Sequence, residues 1–258
     1  MNDLKVTIIQ ADLAWENKEE NINKFSSFIG EIKEETDLII LPEMFSTGFT
    51  MKTEKLAEDF KGETIQWMKN IAKDKNAVLI GSIIVKVREL YYNRLIIMHP
   101  NGNIEYYDKR HLFRMGNEHY VYTKGKKKHI SDINEWKIRP LICYDLRFPV
   151  WSRNENDYDV LVYIANWPEN RRDAWLTLLI ARAIENQCYV IGVNRVGQDG
   201  NAISYSGDSV VIDPKGRIIS ETKPYKESVE TLKLSISELT EFRQKFPVDL
   251  DADKFNVI

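Results

Sequence analysis

At 258 residues, with 43% hydrophobic and 29% charged side chains, the chain is long enough to bury a sizeable core as one layered unit. A net charge of −3 gives no electrostatic reason to expect nucleic acid or an anionic membrane as partner, and no apolar stretch approaches the ~18 residues of a membrane span. Cys143 and Cys188 are the only cysteines and the four histidines show no metal-ligand spacing, so neither a disulfide framework, a metal site nor a bound cofactor is expected.

The opening residues, Met1-Asn-Asp-Leu-Lys-Val6, lack the charged and apolar regions of a secretion signal, which makes a cytoplasmic protein the expectation. A β-rich run at 5–10 precedes a helical stretch at 18–34. The apolar segment 38–41 then ends on Pro42 and Glu43, and a second helical pattern covers 64–73. Strands are predicted at 78–87, 94–99 and 104–107. Asn101-Gly102 between the last two is a tight hairpin signal. The basic run Lys124 to His129 has no interleaved aromatics and reads as a solvated loop. Further strands are predicted at 137–142, 160–165, 189–193, 209–212 and 231–235, with a turn at Asp213-Pro-Lys-Gly216.

A long amphipathic helix is expected at 173–187 and a short one at 237–246. Arg182 and Glu185, three apart on the long helix, form a structural pair. Alternation of short strands with helices reads as α/β layering. There is no linker, repeat or low-complexity tract, so residues 1–258 are expected to form one domain.

Three strand ends carry chemistry. Cys143 ends an apolar run and begins a turn rich in charge and aromatics, Cys143-Tyr-Asp-Leu-Arg-Phe-Pro149. Glu43 follows four apolar residues and a proline, where partial burial would raise a carboxylate pKa toward the working range. Lys109 or Arg110 supplies a cation at the end of a third strand; adjacent strand residues face opposite ways, so only one enters a common site. Thiol, carboxylate and cation are the parts of an acyl-transfer site: a nucleophile, a proton acceptor, and a stabiliser of the oxyanion. Cys188 has no C-x-x-C context, which argues against a thiol oxidoreductase.

Leu41-Pro-Glu-Met-Phe-Ser-Thr-Gly-Phe49, Tyr107-Asp-Lys-Arg-His-Leu-Phe-Arg-Met115, Cys143 to Arg153, Arg182-Ala-Ile-Glu-Asn-Gln187 and Val193 to Gly200 stand in order along the chain. Together they resemble the Glu-Lys-Cys motifs of the nitrilase superfamily of carbon–nitrogen hydrolases, most closely its bacterial ω-amidase branch. The resemblance implies a four-layer αββα sandwich, usually paired as a homodimer. It selects Lys109 over Arg110 and implies catalytic roles for Glu43, Lys109 and Cys143. Glu118 would orient the lysine, and the Tyr144 N–H would be a second oxyanion donor.

Segment 166–172, between a buried strand and the long helix, is the expected pocket wall. Phe49, Phe148 and Trp167 are its apolar surfaces, and Arg171 or Arg172 would bind a substrate carboxylate. The implied activity is hydrolysis of the terminal amide of a small dicarboxylate monoamide, 2-oxoglutaramate or 2-oxosuccinamate, through a thioester. An N-carbamoyl amine amidohydrolase or nitrilase uses the same three residues, and a silent binding protein on this fold is the rival from another class.

Overall fold

The computed structural model describes residues 2–254. Its strands are β1 (Leu4–Gln10), β2 (Leu38–Ile40), β3 (Val78–Val87), β4 (Leu90–Met98), β5 (Ile104–Asp108), β6 (Ser131–Ile133), β7 (Trp136–Ile142), β8 (Val160–Ala165), β9 (Tyr189–Asn194), β10 (Val196–Gln198), β11 (Ser204–Ser206), β12 (Val210–Ile212) and β13 (Ser228–Leu234). The longer helices are α1 (Lys18–Gly30), α3 (Glu63–Lys75), α6 (Arg172–Asn186) and α7 (Ile236–Lys245). The single-turn helices are α2 (Thr53–Leu56), α4 (Glu118–Val121) and α5 (Pro149–Ser152).

One sheet has the order β13-β1-β2-β3-β4-β5 and the other β12-β9-β8-β7-β6; β10 and β11 form a separate ribbon. The centres of both sheets, β1-β2-β3 and β7-β8-β9, are parallel, and their flanking strands are antiparallel. Parallel strands are covered on both faces and therefore read as unbroken apolar runs, as Leu38–Ile40 and Val160–Ala165 do.

The period-2 alternation of a strand sorts those runs into layers. Val6, Ile8, Leu38, Ile40, Ile80, Leu95 and Ile97 join the second sheet in one buried cluster. The residues between them, Ile9, Ile39, Leu79, Ile96 and Met98, pack with Phe25 and Ile29 of α1 and with Ile65, Met68 and Ala72 of α3. Trp175, Leu179 and Ala183 of α6 join the second sheet. There Gly192 of β9 leaves room for them, since a Cβ would stand 2.5 Å from Leu179 Cδ1. Each fully buried aliphatic or aromatic side chain contributes about 1.5–3 kcal/mol. The product is the four-layer αββα sandwich, with helices outside both sheets.

Both turn signals hold: Gly102 and Gly216 each adopt φ +83°, a left-handed conformation that glycine adopts without a Cβ clash. Helix α1 stops at Gly30, short of the expected 34. The polar run Lys33-Glu-Glu-Thr36 offers no apolar side chain at helical spacing for the core. Strand β13 begins earlier than expected and ends at Leu234, because Ser235 instead caps α7, its side chain accepting from Glu238 N at 3.4 Å. No helix among the described residues is long and apolar enough to cross a membrane.

Candidate active site

Each functional side chain stands where a strand ends. After β2 the chain bends at Met44, in the left-handed region at φ +46°, and Ser82 of β3 holds the bend, its hydroxyl oxygen accepting from Met44 N at 2.8 Å. Glu43 is thereby fully buried. Its Oε1 accepts from Lys109 Nζ at 2.9 Å and Asn93 Nδ2 at 2.7 Å, and its Oε2 accepts from Asn166 N at 2.8 Å. Lys109 follows β5, with its N–H bonded to Asn93 O and its carbonyl to Gly125 N. Its ammonium also donates to Glu118 at 3.0 Å, and Glu118 is fixed by Phe113 N at 2.6 Å. Glu43, Lys109 and Glu118 are all essentially without solvent exposure.

Cys143 follows β7 and begins a 3₁₀ turn, Cys143–Arg147, with φ +45°. A non-glycine residue in that region is uncommon and must be held by its surroundings. Buried Asp145 does so. Its carboxylate accepts from Ile142 N at 3.1 Å, Tyr107 Oη at 2.8 Å and His111 N at 3.0 Å, and its Oδ1 lies 2.7 Å from His111 Nδ1. Arg182 of α6 adds a bond to Leu146 O at 2.6 Å while pairing with Glu185 at 3.0 Å, the structural pair expected from their spacing.

Burial alone would lower the Lys109 pKa, but the charges of Glu118 and Glu43 outweigh it and hold the ammonium above its ordinary range. Burial raises the Glu118 carboxyl against the opposing charge of Lys109. The Cys143 thiol is pushed well up, first by burial and then by the Glu43 charge, with Lys109 opposing. Two carboxylates and one ammonium thus favour a protonated resting thiol.

Cys143 opens onto a cavity of about 520 Å³ whose wall includes Glu43, Lys109, Tyr144, Phe49, Asn166, Trp167 and Arg171. The Lys109 ammonium is 5.2 Å from the Phe49 ring centroid. Two expected wall residues lie elsewhere. Phe148 is not part of the cavity lining; it stacks on His111 with centroids 3.8 Å apart, at the end of the Cys143 turn. Arg172 turns away in a bidentate pair with Asp208, at 2.6 and 3.1 Å, a partner its position at the start of α6 does not disclose. Arg110 donates to Gly125 O and lies over Trp151, apart from the lining.

Sequence patterning singled out neither Asn93 nor Arg147, and Asn166 only as the first residue of the expected wall segment 166–172. Asn166 and Asn93 bracket Glu43 from β8 and β4, and the available signal was an amide at the end of, or inside, an otherwise apolar strand. Arg147 lies on the turn that begins at Cys143 and lines the cavity. Among the described residues no group of three or more His, Cys, Asp or Glu is arranged to hold a metal ion.

An αββα sandwich that gathers a thiol, an ammonium and two buried carboxylates at one site has the parts of an acyl-transfer hydrolase. Residues 5–244 match the carbon–nitrogen hydrolase family model. The chain is 45% identical to the omega-amidase YafV of Escherichia coli K12, with both covered in full, and 34% identical to the 2-oxoglutaramate amidase of Bacillus subtilis 168, covering 96% and 97% of the two chains. The solved structure of XC1258 from Xanthomonas campestris, a CN-hydrolase superfamily protein with an arsenic adduct in its active site, superposes with a TM-score of 0.97 at 41% identity over all of both chains. The chain belongs to the carbon–nitrogen hydrolase family and is a hydrolase of carbon–nitrogen bonds other than peptide bonds.

Proposed function

We propose that the protein is an ω-amidase that converts a small dicarboxylate monoamide, with 2-oxoglutaramate the leading substrate, to the diacid and ammonia. The observation that carries this reading is the buried Glu43–Lys109–Glu118 array beside Cys143 at the floor of the cavity. Its similarity to an omega-amidase and a 2-oxoglutaramate amidase supports the substrate class.

In this mechanism Cys143 Sγ attacks the amide carbon while its proton passes to Glu43. The carbonyl electrons move onto oxygen, where the Lys109 ammonium and the Tyr144 N–H stabilise them. Glu43 returns the proton to nitrogen, the C–N bond breaks, and ammonia leaves a Cys143 thioester. Glu43 then takes a proton from water, hydroxide adds to the thioester, and collapse releases the acid and restores the thiol. Because the resting thiol is protonated, activation occurs by proton transfer during attack rather than from a standing thiolate. Glu118 keeps Lys109 charged and in place. Each step uses only side chains, backbone and water.

We further propose a homodimer, as the family resemblance implies, and a cytoplasmic location, where a reactive thiol stays reduced. Ammonia release from a panel of ω-amides, neutral amides, nitriles and N-carbamoyl amines tests the substrate class. The highest kcat/KM should fall to a dicarboxylate monoamide, and a nitrile or carbamoyl compound turning over fastest would overturn the reading.

A further inference from the structure

Glu43 and Glu118 are both buried, and Lys109 is the cation between them, so two carboxylates share one positive charge away from water. Like charges so placed repel, and every donor within reach of them counts. Asn93 of β4 is that further donor. Its Nδ2 donates to Glu43 Oε1 at 2.7 Å and to Glu118 Oε1 at 3.2 Å, while Lys109 Nζ donates to the same two oxygens at 2.9 and 3.0 Å. Two donors and two acceptors thus close into a ring. The backbone of Asn93 holds the lysine as well, its carbonyl accepting from Lys109 N at 3.0 Å. The side-chain amide can face the ring only one way, because turned over its Oδ1 would meet two acceptors. Asn93 Oδ1 is left buried without a hydrogen-bond partner. Such an orphaned acceptor is rare in a folded protein and marks a side chain kept for what its other end does.

The ring decides where Glu43 has room for a proton. A carboxylate oxygen has two in-plane lone pairs, and both of those on Oε1 are taken, by Lys109 and Asn93. Among the described residues Oε2 takes one donor, Asn166 N at 2.8 Å, which leaves it a lone pair. That oxygen is also on the thiol's side, since the carbonyl of the same Asn166 lies 4.0 Å from Cys143 Sγ. We propose that Asn93 is a positioning residue that closes Glu43 Oε1 to protons, so that the proton of the thiol goes to Oε2. This rests on the reading of Glu43 as the proton acceptor and adds to it. As the S–C bond forms, the proton passes from Cys143 Sγ to Glu43 Oε2 and the carbonyl electrons move onto oxygen. The same O–H then protonates the nitrogen as the C–N bond breaks. Without Asn93 a lone pair opens on Oε1, and a proton taken there stands beside Lys109 and Glu118 instead of beside the thiol.

The test is the pH profile of ammonia release by wild type, Asn93→Leu and Asn93→Asp, with 2-oxoglutaramate or whichever amide of the panel turns over fastest. The titratable groups that act with Glu43 are Lys109 after β5, Glu118 at the start of α4, Tyr122 just after α4, and Cys143 after β7. Both variants leave all of these in place. Asn93→Leu removes both N–H groups, so kcat should fall about ten- to a hundredfold with KM changed little. The acid limb of kcat/KM should also move up by about one to two pH units, because a carboxylate that loses a donor is harder to ionise. Asn93→Asp keeps the shape but puts oxygen where N–H stood; it should lose at least as much and shift the limb the same way. Should Asn93→Leu not fold, Asn93→Asp decides the matter by that limb. A loss equal at every pH, with the limb unmoved, would mean that Asn93 serves the fold alone and would overturn the inference, as would wild-type kcat in either variant. Glu43→Gln separates this inference from the reading beneath it. That variant should be inactive, and a normal rate would sink Glu43 as the proton acceptor.

Discussion

Cys143, Glu43 and Lys109 differ in what each can lose. Cys143→Ala removes the proposed nucleophile with little change in volume, so ammonia release should fall to background while the thermal transition stays close to wild type. Cys188 is fully buried in the inter-sheet cluster, and Cys188→Ala should cost about 1 kcal/mol of stability yet keep turnover. An active Cys143→Ala enzyme would refute the assignment. Lys109→Ala should lose about 2.7–4 kcal/mol of transition-state stabilisation, seen as a 10²–10³ fall in kcat, the size of a missing oxyanion donor. A change confined to KM would contradict that role. The thiol itself offers a pH test. Alkylation of the resting enzyme by iodoacetamide should rise with pH only above the ordinary thiol range, since burial and Glu43 both favour the protonated form. Lys109 is the cation favouring the thiolate, so Lys109→Met should move the midpoint further up; a downward shift would mean that the charges around the thiol have been misread.

At the scale of elements, the site depends on how strands end. Asp145 receives three donors, from Ile142 at the end of β7, from Tyr107 of β5 and from His111 just after that strand. Burial and the Asp145 charge raise the Tyr107 phenol well above its usual range, which keeps it a donor. Asp145→Asn turns an amide N–H₂ toward those donors, at about 1–3 kcal/mol for each one left unpaired. Differential scanning calorimetry should show the lower transition, and kcat should fall more than KM rises; unchanged kcat would free the turn from any role in placing Cys143. Gly125 approaches the chain beside Lys109 so closely that a Cβ would stand 1.9 Å from Asp108 O. The long apolar strands and the Glu43, Lys109 and Cys143 positions were legible because buried parallel strands leave unbroken hydrophobic runs, and a polar residue at the end of such a run stands out. Strands β6, β10 and β11 were not, since three residues with polar members carry no period. Phe148 and Arg172 were misplaced for a related reason: the choice between cavity and packing rests on His111 and Asp208, both more than thirty positions away. Arg147 went unweighed because its turn, not its neighbours in sequence, brings it to the cavity.

Over the whole molecule, the sandwich divides the machinery between its two sheets. Glu43 and Lys109 follow strands of one sheet, and Cys143 and Asn166 follow strands of the other. What keeps them together is the apolar interface between the sheets, reinforced by a few bonds across it such as Asn166 N to Glu43. Side chains interdigitated at crystal-like density resist sliding until the interface loosens.

Turnover is therefore a gauge of alignment between the two halves of the sandwich. A displacement of about 1 Å, too small to melt either sheet, is enough to cost on the order of a hundredfold in rate. On heating, residual activity assayed at temperature should fade several degrees before the far-ultraviolet dichroism of the strands begins to fall. Coincident curves would mean that the halves part only when the whole domain unfolds.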